Sequence, residues 1–208
     1  MMRRLLATIA VLLLAACGGN VRTADPVRYD FGGLDGSAAV ARLPLAAVNI
    51  QAASWLAGPA MHFRLAYAEP LQRRSYGESR WAAPPAELLA ALLKRRLMFA
   101  PAEPAAGGCR LQLVVDELEQ RFDDPQQSFA VLDVRAQLMP RRGAEILARR
   151  TFHIQKPAPT PDARGGAAAT RDVAQALAAE LAAWLADVAR EKPAIVERCK
   201  TQKGNADE

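Results

Sequence analysis

Three cysteines, two histidines and one run of carboxylates are the residues whose types could do chemistry. His62 and His153 fall at polar-phase positions of expected strands, and neither has a metal-ligand spacing to a Cys, Asp or Glu. Both read as solvated strand histidines. Of the serines Ser37, Ser54, Ser75, Ser79 and Ser128, none sits in a Gly-x-Ser-x-Gly turn. Gly32-Gly33 and Gly107-Gly108 are not followed by the Lys-Ser/Thr or the dinucleotide fingerprint that a phosphate loop needs. Asp116, Glu117, Glu119, Asp123 and Asp124 form one acidic cluster. In a strand, Glu117 and Glu119 share a face, where a cation or basic partner could bind, but a solvated strand end is the favoured reading. Nothing pairs a nucleophile with a base or tunes an acid–base couple, so no catalytic residue, metal or cofactor is expected.

The cysteines carry more. Arg3 and Arg4 precede an apolar run from Leu5 to Leu14, broken only by Thr8, and Ala15-Ala16-Cys17-Gly18 follows. A membrane-spanning helix needs about 20 apolar residues, which this run does not reach. It suits the hydrophobic region of a signal peptide, followed by a small-residue cleavage site. Leu14-Ala15-Ala16-Cys17 resembles the lipobox of bacterial lipoproteins, in which the cysteine thiol takes a diacylglyceryl group and cleavage leaves it first in the chain. Residues 1–16 are therefore expected as signal peptide, with Cys17 lipidated by acyl chains such as palmitate. Gly18 is not the Asp of the inner-membrane retention signal familiar from enteric lipoproteins, which favours the outer membrane, facing the periplasm. In that oxidising compartment Cys109 and Cys199 remain as an even pair, and a disulfide is favoured over two free thiols.

Charge excludes one class of partner. The formal net charge is +5, of which Arg3 and Arg4 would leave with the signal peptide. The other basic residues are scattered or paired (Arg73-Arg74, Arg95-Arg96, Arg141-Arg142, Arg149-Arg150) and no aromatics interleave with them, so no nucleic-acid partner is expected.

The elements that must position these residues read as one domain. Residues 17–38 are expected as a lipidated tether, 39–192 as the folded domain and 193–208 as a soluble tail. Leu43 to Ile50 is a strand candidate; Trp55 to Pro59 a loop; Met61, Phe63, Leu65 and Tyr67 alternate with polar residues, and Leu71 to Tyr76 returns as a hairpin partner. Trp81 to Pro85 opens a helix whose stripe is Leu88, Leu89, Leu92, Leu93 and Leu97. Three strands follow, around Leu111–Val115, Ala130–Leu138 and Ile146–Ile154, the last two joined by a turn at Pro140–Gly143. Pro157 to Gly166 reads as a loop. Thr170 then caps a second helix with Asp172 in its first turn and Val173, Leu177, Leu181, Trp184, Leu185 and Val188 on its apolar face. Strands with one apolar face and helices with one apolar stripe predict a two-layer α/β sandwich, with a mixed, mainly antiparallel sheet and two packed helices. Trp81 and Trp184 are expected in the core rather than in a lipid groove.

Read in order, these segments resemble the ABC-type transport auxiliary lipoproteins, the PqiC-like family. The most specific resemblance is Arg80-Trp81-Ala82-Ala83-Pro84-Pro85 before a leucine-rich helix. Arg28-Tyr29-Asp30-Phe31 stands near the family's segment after the tether, and Leu43–Ile50, Leu111–Phe122, Ala130–Leu138, Gly143–Phe152 and Val173–Leu185 match its strands, hairpin and closing helix. Trp55-Leu56 and the long Pro157–Gly166 loop depart from the pattern, and the Cys109–Cys199 bridge forms no part of the resemblance. The resemblance implies a non-catalytic component of a lipid-transport system between the inner and outer membranes, with an MCE-domain protein and an ABC permease and ATPase as partners. Self-association is left open. The alternatives are a structural or assembly lipoprotein of the outer membrane, similar to the plug lipoprotein of lipopolysaccharide export, and a lipid-anchored hydrolase or lipid carrier.

Overall fold

The computed structural model describes residues 25–33, 43–97 and 108–201. The signal peptide, Cys17 and the first part of the expected tether lie outside the described residues.

Seven strands form one sheet: β1 (Val27–Tyr29), β2 (Leu45–Ala52), β3 (Ala60–Leu65), β4 (Arg74–Trp81), β5 (Cys109–Phe122), β6 (Ser128–Met139) and β7 (Ala148–Pro157). Their order is β1-β4-β3-β5-β6-β7, with β2 also beside β5. β5–β6, β6–β7 and β3–β4 are antiparallel; β1–β4, β2–β5 and β3–β5 are parallel. The sheet is mixed and open, and the two longest pairings are antiparallel, as the alternation predicts. β2 and β3 lie along the same side of β5, β2 against Cys109–Val115 and β3 against Gln120–Phe122. They act as one strand interrupted by the 3-10 turn Ser54–Leu56.

Helices α1 (Pro85–Leu97) and α2 (Ala163–Glu191) cover one face, α1 over β2 and α2 over β6 and β7. In α1, Leu89, Leu92, Leu93 and Leu97 are buried, while Lys94, Arg95 and Arg96 sit in the last turn, where the helix dipole favours cations. The stripe Val173, Leu177, Leu181, Trp184, Leu185 and Val188 of α2 is buried as expected.

Four boundaries differ from the sequence expectation, each for a physical reason. β1 lies inside the expected tether, because Val27–Tyr29 completes the sheet beside Ser79–Trp81. Trp81 ends β4 instead of opening α1, and its indole packs edge-on against Phe31 at 5.5 Å. α2 begins seven residues before Thr170: Asp162 is its N-cap, accepting from Gly165 N at 2.7 Å. Thr170 is buried inside the helix and donates to Gly166 O at 2.8 Å. Gly166, which looks like a loop residue, is there because a Cβ would stand 2.0 Å from Gln120 Oε1. Finally, residues 193–201 of the expected tail form a third helix, α3 (Pro193–Thr201), with Ile195 and Cys199 in the core.

A β-bulge sets what the sheet offers on each face. The β5–β6 register shifts between Val115 and Glu117. Before it, Leu111, Leu113 and Val115 face the helices; after it, Leu118, Gln120 and Phe122 do. Glu117 and Glu119 are thereby turned to the opposite face.

Candidate functional site

Cys109 is the first residue of β5 and Cys199 belongs to α3, and a disulfide joins them with a Cα–Cα distance of 4.9 Å. Beside it, Gly108 N donates to Cys199 O at 2.6 Å. Gly108 has φ +113°, and a Cβ would meet Ala46 N at 2.8 Å, so only glycine fits where the chain enters β5. The bridge fixes α3 to the end of the sheet where β5 starts, β6 finishes and α2 runs out.

The acidic cluster is not a solvated strand end. Arg73 Nη1 and Nη2 donate to the two carboxylate oxygens of Glu117 at 2.7 and 2.5 Å, and Arg64 Nε donates to Glu119 Oε1 at 2.8 Å. Glu119 is 7% exposed, and its Oε2 has no hydrogen bond, with Arg73 Nη1 3.5 Å away. The basic partner that Glu117 and Glu119 could bind comes from this chain, delivered by β3 and by the β3–β4 turn. Arg64 Nη1 also donates to Pro70 O at 2.9 Å, and the Arg73 guanidinium lies 5.5 Å from the centre of the Trp55 ring. The Glu117 carboxylate holds the Arg73 guanidinium above its usual pKa. Further along the same strand, Arg135 clamps Asp116 at 2.6 and 2.7 Å and depresses its pKa, Arg121 pairs with Asp123, and Asp124 accepts from Gln126 N and Gln127 N. Every carboxylate of the cluster is thus engaged within the fold.

The histidines part company. His153 is a surface residue, paired through Nδ1 with Asp133 and through Nε2 with Gln155 at 2.9 Å. His62, expected to be solvated, is half-buried with Nε2 2.9 Å from Trp55 O. Nearby, a polar chain joins three strands of the sheet, from β4 through β5 to β6: the Tyr76 hydroxyl donates to Gln120 Oε1 at 2.9 Å, and Gln120 Nε2 donates to Ser128 Oγ at 2.8 Å. Burial pushes the Tyr76 phenol well above its ordinary pKa. Among the described residues no group of three or more His, Cys, Asp and Glu is placed to hold a metal ion.

A concavity lies at the disulfide end, between the start of β7 and the last turns of α2. It is a groove of about 570 Å³. Leu147, Trp184 and Val188 lie at its base, with the half-exposed Ile146 at its edge, but most of the exposed lining is polar, with Arg149, Arg150 and Lys192 on the rim. Arg150 lies 5.1 Å over the Phe152 ring, which packs edge-on against Trp184. The two carboxylates of the rim, Asp187 and Glu191, are taken up by Arg190. Trp184 is therefore both a core residue and the floor of a groove. Periodicity could place it on a helix stripe, but the groove depends on where α2 ends relative to β7, which only the fold reveals.

A sequence model of the family described as ABC-type transport auxiliary lipoprotein component matches residues 49–182. The chain belongs to this family. The matched stretch runs from within β2 into α2 and so takes in the ion-pair cluster, the acidic run and the start of β7. Two solved structures share the fold. One is protein XCC0632 from Xanthomonas campestris, titled as a member of family DUF330, with a TM-score of 0.63 at 19% identity over 82% of this chain and 96% of that one. The other is an uncharacterized protein, with a TM-score of 0.59 at 14% identity over 78% of this chain and 99% of that one. No curated protein matches the chain. Family membership makes the protein a membrane-anchored lipoprotein, auxiliary to an ABC-type transport system.

Proposed function

We propose that the protein is a non-catalytic docking component of an MCE-type lipid-transport system between the inner and outer membranes, held at the outer membrane by a lipid on Cys17. The observation that carries this reading is the family match across residues 49–182. The chemistry of the chain supports it: the carboxylates that might have served as acids or bases are consumed by Arg64, Arg73, Arg121 and Arg135. Among the described residues, the groove between β7 and α2, with Leu147, Trp184 and Val188 at its base and charged residues on its rim, is an open surface that suits recognition. The partners in this reading are an MCE-domain protein and its ABC permease and ATPase, with the groove as the face that meets them.

The test is site-specific photocrosslinking in cells from position 149, on the rim of the groove, followed by mass spectrometry of the adducts. An MCE-domain protein or a subunit of its permease is the expected adduct. Crosslinks to a lipopolysaccharide-export barrel instead would replace this reading with that of an assembly lipoprotein.

A further inference from the structure

The strand directions set which end of the domain the chain before Val27 leads toward. β1 runs parallel to β4, and Val27 lies beside Ser79. β4 starts at Arg74, where the β3–β4 turn delivers it. Chain preceding Val27 therefore leads toward that turn, the hairpin end of the sheet. The hairpin end also carries the β5–β6 turn and the start of α2. The disulfide, the groove and the end of α2 lie at the other.

Reach favours the same end. Cys17 stands ten positions before Val27, and a chain of that length spans at most about 33–36 Å. From the level of Ser79 to that of Arg74 is five strand residues, about 17 Å at the usual rise. The lipid-bearing residue can thus clear the hairpin end by at most about 16–19 Å. In the other direction, Leu118 is near the level of Val27, and Arg110 is eight residues further, about 27 Å down the sheet. β1 is also displaced from β5 by β4 and β3, about 14 Å sideways. These offsets put the disulfide end about 30 Å away, so a fully extended tether would only just reach it, with about 3–6 Å to spare, whereas it clears the hairpin end by far more.

The nearer end carries an apolar tip. Leu71 is 95% exposed and Tyr67 is 47% exposed, both in the β3–β4 turn. That turn is not loose: Glu69 N donates to Leu65 O at 2.8 Å, Gln72 N to Glu69 O at 3.0 Å, and Arg64 holds Pro70 O. Arg73 anchors its far side to Glu117. A fully exposed leucine on a braced turn, with a tyrosine four residues before it, suits the polar–apolar boundary of a membrane. Of the nearby acids, Asp123 is paired with Arg121 and Asp124 is spent on backbone amides, while Glu69, exposed in the same turn, would have to stay on the aqueous side of the interface.

We propose that the hairpin end rests on the bilayer that carries the Cys17 lipid, with Leu71 and Tyr67 entering its interfacial layer and the groove facing away. This rests on the reading of Cys17 as the lipidated residue, and the experiment separates the two. Full-length lipidated protein would carry an environment-sensitive dye on Leu71→Cys, Thr151→Cys or Lys192→Cys, in vesicles of phosphatidylethanolamine and phosphatidylglycerol containing a nitroxide-labelled lipid. Position 71 is at the tip, 151 on the open face of the sheet and 192 beside the groove. The dye at 71 should shift to the blue and be quenched several-fold more than at 151 or 192, and Tyr67→Ser should weaken that quenching with the circular dichroism unchanged. Protein that floats with the vesicles while the dye at 71 stays in water, or is quenched less than at 151 or 192, overturns the docking and leaves the anchor standing. Protein that does not float at all overturns both.

Discussion

Glu119 lies under two arginines, with Arg64 Nε 2.8 Å from its Oε1 and Arg73 Nη1 3.5 Å from its Oε2. In the sequence it belongs to an acidic run after an apolar strand, and runs of charge at strand ends are ordinarily solvated. In the fold it is buried, because the bulge at Asp116 continues the strand past Val115 and Arg64 and Arg73 arrive from β3 and its turn. Its shared face with Glu117 was legible; the arginines that close over it were not, being 44 and 55 residues away in sequence. Removing Arg64 by Arg64→Met would leave the Glu119 carboxylate with Arg73 Nη1 at 3.5 Å as its nearest cation. Urea titration should register a loss of about 2–3 kcal/mol, below the full cost of breaking a buried pair because Arg64 is partly exposed. The variant Arg64→Met/Glu119→Met should recover part of that loss. At Tyr76, Tyr76→Phe deprives Gln120 Oε1 of its donor and should cost about 1–2 kcal/mol in the same titration.

At the scale of elements, alternation predicted the strands well where it was long and unbroken. β6 alternates over its whole length, and its pairing with β5 and β7 follows. β1 was not legible, since three residues carry no period and gain their structure from Ser79–Trp81. The start of α2 was hidden because Pro157 to Gly166 has the composition of a loop, although Gly166 is required by the Gln120 side chain. The cap there makes a pH-dependent prediction. Asp162 has a depressed pKa, chiefly from the Gly165 backbone N–H and then from the Thr160 hydroxyl. A carboxyl with a lowered folded-state pKa contributes stability that is present above its ordinary range and lost as pH falls through the folded value. Asp162→Ala should therefore cost about 1 kcal/mol at neutral pH, and the gap from wild type should shrink on acidification below the usual carboxylate range. Denaturant midpoints of both proteins between pH 7 and pH 2 measure it. α3 was read as tail, yet Ile195 and Cys199 are buried. The disulfide closes a sequence separation of 90 residues, so reduction, or Cys199→Ser, should lower stability by about 2–4 kcal/mol. Gel mobility with and without reductant reports the bridge directly.

For the whole molecule, the two-layer architecture and the family were readable from the order of strands, the Arg80–Pro85 segment and the leucine stripe of α1. The surfaces proposed to meet the partner and the membrane were not. Neither the groove between β7 and α2 nor the end of the sheet that receives the tether has a local signature, because both follow from strand direction and helix length. The domain pairs its acidic run with its own arginines, has a groove at one end and, in the proposed reading, is attached to the membrane at the other. A lipid on Cys17 is proposed to hold this docking domain at the outer membrane. Fractionation of cells making wild type or Cys17→Ser, with the circular dichroism of each purified protein, tests it most directly. The account predicts that wild type pellets with outer membranes while Cys17→Ser keeps its fold and appears in the soluble periplasmic fraction. Folded Cys17→Ser that still pellets with outer membranes would contradict it.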